Sequence, residues 1–296
     1  MNDFNAKVAV ITGAASGIGR GLAERCLHEG MRVVLADIEE PALRQTESEL
    51  RKAGGMVLAV QTDVSKAADV EALARRTLDT FGAVHLLVNN AGVAAGGTIW
   101  ESTPEDWAWV MDVNLMGVIH GLRAFVPLML AQGTEGHVVN TASIAGVMPY
   151  HPSAPYQTTK AAVVALTENL HYSLVMSNAR VRASVLCPGF VNTRILDSER
   201  NRPGGPRQHE VDPSSREAEV MAYVRHALQT GLSPARVADL VFDAIRQERL
   251  FIFTHPEYMG LTRQRLEAML SGEALSGGLF VEEHPTRPDS PVEAPH

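Results

Sequence analysis

Tyr156 and Lys160 stand four residues apart, just after Ser153 and Pro155, where the sequence predicts the start of a helix. That spacing puts both side chains on one helix face, one turn apart. A phenol titrates near ~10, too high for an efficient base at neutral pH, and a neighbouring ammonium lowers it by ~1–3 units. The pair is therefore suited to moving a proton on and off an oxygen. Alone it has a plain alternative, surface packing, because a Tyr and a Lys four apart occur often by chance. The company it keeps changes the weighting. Ser143 precedes Tyr156 by 13 residues and follows an apolar, strand-like run. Asn114 lies in the helical stretch Asp112-Val113-Asn114-Leu115. Asn89-Asn90-Ala91-Gly92 and Pro188-Gly189 each directly follow a strand pattern. Polar and turn residues at strand ends mark the side where open α/β sheets bind ligands.

A second group suits a phosphate-bearing ligand. Thr12-Gly13-Ala14-Ala15-Ser16-Gly17-Ile18-Gly19 follows the first strand and opens the first helix. Glycine is needed where the backbone turns sharply and where no side chain can stand between it and a pyrophosphate. The helix N-terminus adds free N–H groups and a partial positive charge. Asp37 ends the second strand, 18 residues beyond Gly19, and is followed by Ile38, Glu39 and Glu40. A carboxylate there accepts hydrogen bonds from adenosine ribose hydroxyls and repels a 2′-phosphate. The nearest basic residue downstream is Arg44, so the reading favours NAD(H) over NADP(H). Glu39 and Glu40 also suit the first turn of a helix with Pro41 near its start.

These residues need a frame. Strand-length apolar runs at Val8–Ile11, Val33–Ala36, Val57–Val60, Leu86–Val88, Val138–Asn140, Val181–Leu186 and Leu250–Phe253 alternate with helical patterns. Continuous apolar strands suit a parallel sheet covered on both faces. The alternation predicts right-handed βαβ units, hence an α/β fold with a doubly wound, seven-stranded parallel sheet and helices on both faces. Ser65 is the expected cap of one helix, which ends at Gly82; Ser233 and Pro234 open another. Asn192 to Pro213 is polar and rich in Pro, Gly and Arg, and predicts a mobile loop before a short helix near Arg216 to Thr230. With Pro188, Gly189 and Thr193 at its start, it is suited to act as a lid. Residues 1–281 are expected to form one domain with a substrate loop at about 190–232. Glu282 to His296, with four prolines, reads as a disordered tail.

Taken together and in order, Thr12 to Gly19, Asn89 to Gly92, Asn114, Ser143, Tyr156 with Lys160, and Pro188-Gly189 resemble the short-chain dehydrogenase/reductase family, over roughly residues 5–255. The resemblance implies a Rossmann-like dinucleotide-binding fold and an oxidoreductase interconverting an alcohol and a ketone. It makes Tyr156 the acid/base, with Ser143 holding the substrate oxygen and Lys160 lowering the phenol's pKa while gripping the nicotinamide ribose. Asn114 would anchor a water in the proton relay. The cofactor shell would be Gly13, Ser16, Gly17, Ile18 and Gly19, then Asp37 and Ile38, then Asp63 and Val64 flanking the adenine. Asn90, Ala91 and Gly92 would support the ribose, and Pro188, Gly189, Val191 and Thr193 would meet the nicotinamide amide. Short members of the family close with a Gly-rich segment that helps build tetramers. This chain runs instead through Leu250 to Tyr258 into a further helix, so a homodimer through the helices after Pro104 and Pro155 is expected, with a tetramer as the alternative.

Composition narrows the partners. The formal net charge of -8 argues against a nucleic-acid backbone. No apolar run is expected to reach the ~18 residues that span a bilayer, and no signal pattern precedes the first strand. Cys26 and Cys187 sit in apolar surroundings outside any metal-ligand spacing, which predicts buried thiols, no metal and a cytoplasmic setting. Phe190, Ile195, Leu196, Met221, Tyr223, Val147, Met148, Tyr150 and His151 suggest a roomy apolar pocket for a bulky, hydrophobic or aromatic secondary alcohol. His151 and His255 are more simply structural. The Arg194, Arg200, Arg202 and Arg207 cluster is more simply a solvated loop surface. Two rivals remain open: an NADP-dependent ketoreductase, and a dinucleotide sensor without catalysis.

Overall fold

The computed structural model describes residues 1–148, 152–206 and 214–273. In chain order the elements are β1 (Val8–Thr12), α1 (Gly17–His28), β2 (Arg32–Asp37), α2 (Glu40–Lys52), β3 (Val57–Gln61), α3 (Ala67–Phe81), β4 (Leu86–Asn89), α4 (Pro104–Met111), α5 (Gly117–Ala131) and β5 (Gly136–Thr141). Then follow α6 (Ala154–Met176), β6 (Val181–Cys187), α7 (Arg216–Gln229), α8 (Pro234–Arg246), β7 (Phe251–Phe253) and α9 (Met259–Ser271). All seven strands are parallel, as the alternation predicts, and the structure sets them in the order β3-β2-β1-β4-β5-β6-β7.

Successive strand residues point to opposite faces, so each strand feeds two cores. Ala9, Ile11, Val33 and Leu35 pack with Leu22, Leu43, Val241 and Phe242 under α1, α2 and α8. Val10, Val34, Leu87 and Val138 pack with Leu73, Phe125, Met129 and Val163 under α3, α5 and α6. Cys26 and Cys187 are buried free thiols. From β1 the chain winds outward to β2 and β3, then returns to the other side for β4. The C-terminal ends of β1 and β4 therefore frame the crevice where an open sheet binds ligands.

Several local expectations are corrected. Most strands extend a residue or two beyond the apolar runs, because polar ends such as Thr12, Asp37 and Thr141 still pair. Ser65 is not the cap of α3; its hydroxyl donates instead to the Asp63 carboxylate at 2.6 Å, and Lys66 takes the cap position. Ser233 does cap α8, accepting from the Arg236 N–H at 3.2 Å. Thr103 and Asp106 form a reciprocal capping box at α4. Asn114 sits in a π-helical turn, Asp112–Met116, that joins α4 to α5. Pro104–Ala131 as a whole is long and apolar enough to cross a membrane, contrary to expectation. One face of it is core, with Phe125 and Met129 buried against the sheet, while 39% of its most apolar stretch is buried in all. The tail expected to be disordered, 282–296, lies outside the described residues, as do Tyr150, His151 and Arg207.

Candidate active site

Gly13 adopts φ +65, and a Cβ there would meet Ala91 Cα at 2.9 Å; at Gly19 it would meet the Gly13 carbonyl at 2.1 Å. Both positions therefore exclude a side chain, and the turn stays tight against β4. Thr12 ties the two together: its hydroxyl accepts from the N–H groups of Asn90 at 2.9 Å and Ala91 at 3.1 Å. The Asn90 amide returns a bond to the Thr12 carbonyl at 3.0 Å. Gly13, Ser16, Gly17 and Ile18 line the cleft; Gly19 lies behind it, a spacer for the turn.

At the far end of the cleft, Asp37 and Ile38 line the wall with Asp63 and Val64. One Asp37 oxygen accepts from Ala15 N–H at 2.9 Å and the other from Glu39 N–H at 3.0 Å. Burial nevertheless holds the Asp37 carboxyl above its ordinary range, the backbone N–H donors offsetting only part of the cost. Asp63 keeps one oxygen for Ser65 and pairs with Lys66 at 3.0 Å.

Between these ends the residues expected to do chemistry converge. Ser143 and Tyr156 share a side-chain hydrogen bond on the cleft wall. Ser143 caps the short turn Ile144–Gly146, and Ser153 caps α6 and sets Tyr156 in its first turn. Lys160 Nζ lies 5.5 Å from the Tyr156 ring centroid and donates to the Thr141 carbonyl at 2.9 Å. Lys160 is almost fully buried, which lowers its pKa to about 8. The expected lowering of the phenol by Lys160 is not what this arrangement produces. Burial pushes Tyr156 upward, and the hydrogen bond with Ser143 works against that rise. The ammonium stands over the ring and donates to a backbone carbonyl. Asn114, fully buried, does not line the cleft. Its amide clamps Val93, accepting from the backbone N–H at 2.8 Å and donating to the carbonyl at 2.9 Å.

Asn90, Ala91, Gly92, Pro188, Gly189, Val191 and Thr193 all line the cleft as the sequence predicts. Gly189 N–H donates to Thr254 Oγ1 at 3.1 Å and His255 Nδ1 at 3.2 Å, so His255 is a buried brace, the structural reading. Phe190 packs edge-on between Tyr223 and Tyr258. Ile195 reaches the cleft, whereas Val147 and Met148 are core residues. The expected pocket is thus only partly assembled from the residues proposed for it.

The segment after Thr193 is not the featureless loop its composition suggests. Ile195–Asn201 forms a 3-10 turn across the cleft mouth, with the Ser198 hydroxyl accepting from Ala94 N–H at 3.1 Å. Arg194 is exposed as expected, but Arg200 and Arg202 are held by carboxylates rather than left to solvent. Arg202 pairs with Asp106 and Glu199 and lies 4.6 Å over the Trp109 ring; the Arg202 and Asp106 side chains are only 9% and 1% exposed. Arg200 binds Glu39, with Nη2 at 2.7 Å and Nε at 2.8 Å. Sequence reasoning missed Asn201, Ser198 and Trp109 and read Arg200 only as loop surface, because their partners lie far away in the chain and carry no periodic signal.

A side-chain-free turn at a helix N-terminus at one point, and a carboxylate at the end of β2, fit the pyrophosphate and adenosine of a dinucleotide.

A sheet of this topology, with such a turn and a Ser–Tyr–Lys cluster on its rim, defines a dinucleotide-type oxidoreductase site. The chain belongs to the short-chain dehydrogenase family: the family model for short chain dehydrogenases matches residues 7–204. It is 36% identical over 280 residues to the CLA biosynthesis dehydrogenase/reductase of Lactiplantibacillus plantarum, covering 93% of this chain and 96% of that one. It is 32% identical over 278 residues to the C alpha-dehydrogenase of a Sphingobium species, covering 93% and 88%. A short-chain dehydrogenase/reductase from Burkholderia phymatum, solved in complex with NAD, superposes with a TM-score of 0.89 at 46% identity, covering 94% of this chain and 99% of that one.

Proposed function

We propose that this oxidoreductase uses NAD(H) to interconvert a secondary alcohol and a ketone, the substrate being bulky and hydrophobic or aromatic. The observation that carries the reading is the hydrogen-bonded Ser143–Tyr156 pair on the wall of a cleft also lined by the glycine turn and Asp37, with Lys160 beside it. NAD, when bound, supplies the acceptor or donor of hydride. The chain's own residues handle the proton. In oxidation Tyr156 as phenolate removes the hydroxyl proton of the substrate; in reduction its phenol returns one. Ser143 donates to the same oxygen and, with Tyr156, stabilises the charge that develops there. Lys160 is held in place by Thr141, and Asn114 keeps the Val93 backbone against the cleft. Segment 190–206 excludes water from the reacting end as a lid.

Asp37 supports NAD over NADP, since a carboxylate beside the ribose repels a 2′-phosphate. One observation favours the NADP reading: Arg200 stands in the same part of the cleft. Its charge is met by Glu39, so NAD remains the better choice. A two-fold dimer through α4–α5 and α6 is proposed on the apolar side chains left exposed there, Leu130, Tyr172, Val175 and Met176. The free thiols support a reducing, cytoplasmic setting. The deciding experiment is cofactor reduction by the purified protein across a panel of aliphatic, alicyclic and benzylic alcohols, with NAD and NADP in parallel. Turnover of bulky secondary alcohols with NAD is expected. Preference for NADP would favour the ketoreductase, and binding without turnover of any alcohol would favour a sensor.

A further inference from the structure

Arg200 comes from the cleft-spanning turn, 161 residues from Glu39 in sequence, yet the two form an ion pair: Nε donates to Glu39 Oε1 at 2.8 Å and Nη2 lies 2.7 Å from the same oxygen. Glu39 Oε1 also accepts from the Asn201 amide at 2.9 Å. The remaining guanidinium nitrogen donates to the Asp197 carbonyl at 2.8 Å and the Arg194 carbonyl at 3.2 Å. Every nitrogen of Arg200 is thus engaged, and the group lines the same wall as Asp37 and Ile38. A guanidinium there would ordinarily recruit phosphate, because its planar fork matches phosphate oxygens. Here an equally charged carboxylate already occupies the fork.

We propose that Glu39 and Arg200 form a second cofactor-selectivity element: Glu39 masks an arginine that would otherwise bind a ribose 2′-phosphate, and so helps confine the site to the unphosphorylated dinucleotide. Glu39 acts through Arg200 and is a positioning residue. The same contact ties the lid turn to the β2–α2 corner, so the arginine is delivered to the adenosine end by the segment that also carries Thr193 at the other end. Arg202 cannot stand in for it. That guanidinium is committed to Asp106 and Glu199 and lies over Trp109. Lys66, the neighbouring cation on the adenine side, pairs with Asp63.

This inference rests on the NAD reading above, and one titration series separates the two. Binding of NADH and NADPH is followed by nicotinamide fluorescence in the parent, Glu39→Gln, Arg200→Ala and the Glu39→Gln/Arg200→Ala double variant, with circular dichroism to check folding. The parent is expected to prefer NADH; a parent that binds NADPH more tightly overturns both the NAD reading and this proposal. In Glu39→Gln the ratio of NADPH to NADH dissociation constants should fall by about tenfold or more, the worth of a charge-assisted phosphate contact. The double variant should lose that gain. An unchanged ratio in Glu39→Gln, or a gain that survives loss of Arg200, overturns the masking role and leaves the NAD reading intact. Should Glu39→Gln fail to fold, Glu39→Ser carries the same prediction.

Discussion

In the proposed mechanism the phenol oxygen of Tyr156, hydrogen-bonded to Ser143 on the cleft wall, carries the proton. Tyr156→Phe keeps the ring and its contact with Lys160 while deleting that oxygen. Turnover should fall by ~10²–10⁴-fold with NADH affinity retained, measured by steady-state kinetics and fluorescence titration. Rates within a few-fold of the parent would remove Tyr156 from the chemistry. Lys160 permits a prediction independent of any substrate. Its pKa is lowered to about 8 in the fold, from its ordinary 10.5, because burial disfavours the ammonium. Below about 8 both folded and unfolded chains carry the charge, and its burial cost is fully present. From 8 to 10.5 the unfolded chain still holds a proton that the folded chain has lost, so this contribution grows more favourable as pH rises. Lys160→Met should therefore be more stable than the parent at pH 7, by on the order of 2–3 kcal/mol. The advantage should shrink toward the upper end of the window. Denaturant unfolding of both proteins across that range checks this, and a constant difference would contradict it.

At the level of elements, the end of β2 and the turn 195–201 set what the cleft admits. Asp37→Ala deletes the carboxylate proposed to face the ribose. NAD binding should weaken at least about tenfold, since a charge-assisted hydrogen bond is worth ~1.5–3 kcal/mol. Isothermal titration measures this directly, and an unchanged NAD affinity would take Asp37 out of the site. The other end of the turn is fastened to α4 by Arg202 and Asp106. Asp106→Asn keeps a side-chain acceptor for the Thr103 N–H but removes the charge from a nearly buried pair. Glu199 still partners Arg202, so the cost should be modest, ~1–3 kcal/mol, and confined to the fastening. Limited proteolysis should then cut between residues 194 and 206 about tenfold faster, with the global unfolding midpoint little changed. Equal cleavage rates would show that the turn does not depend on that ion pair.

For the whole molecule, the exposed apolar side chains of α6 are the outstanding debt of the single chain. Met176 is 87% exposed and Tyr172 64%, on a helix whose opposite face is core. The proposed dimer would cover them, and sedimentation should find two copies in the parent and one in the Tyr172→Glu/Met176→Glu variant. A monomeric parent would dispose of the dimer.

How much of this was legible beforehand divides along a physical line. The parallel seven-stranded sheet, the glycine turn, the Tyr156–Lys160 spacing and the cap at Ser233 are written in local signals: continuous apolar strand runs alternating with helical apolar patterns, turn residues at strand ends, a spacing of four. Each depends on residues near one another in the chain, so the sequence alone determined them. The fate of Ser65, which donates to a carboxylate two residues away, shows that even neighbours compete for one hydroxyl. Tertiary structure decided the rest. It made the apolar stretch Pro104–Ala131 a core element by giving it a sheet to cover, and turned Asn114 onto Val93. It set the Lys160 ammonium against a carbonyl, and it paired Arg200 with Glu39 just before α2 and Arg202 with Asp106 of α4. Those outcomes depend on which buried charge meets which partner across the sheet. Charge and burial act through space, and no spacing along the chain encodes a distance that only folding creates.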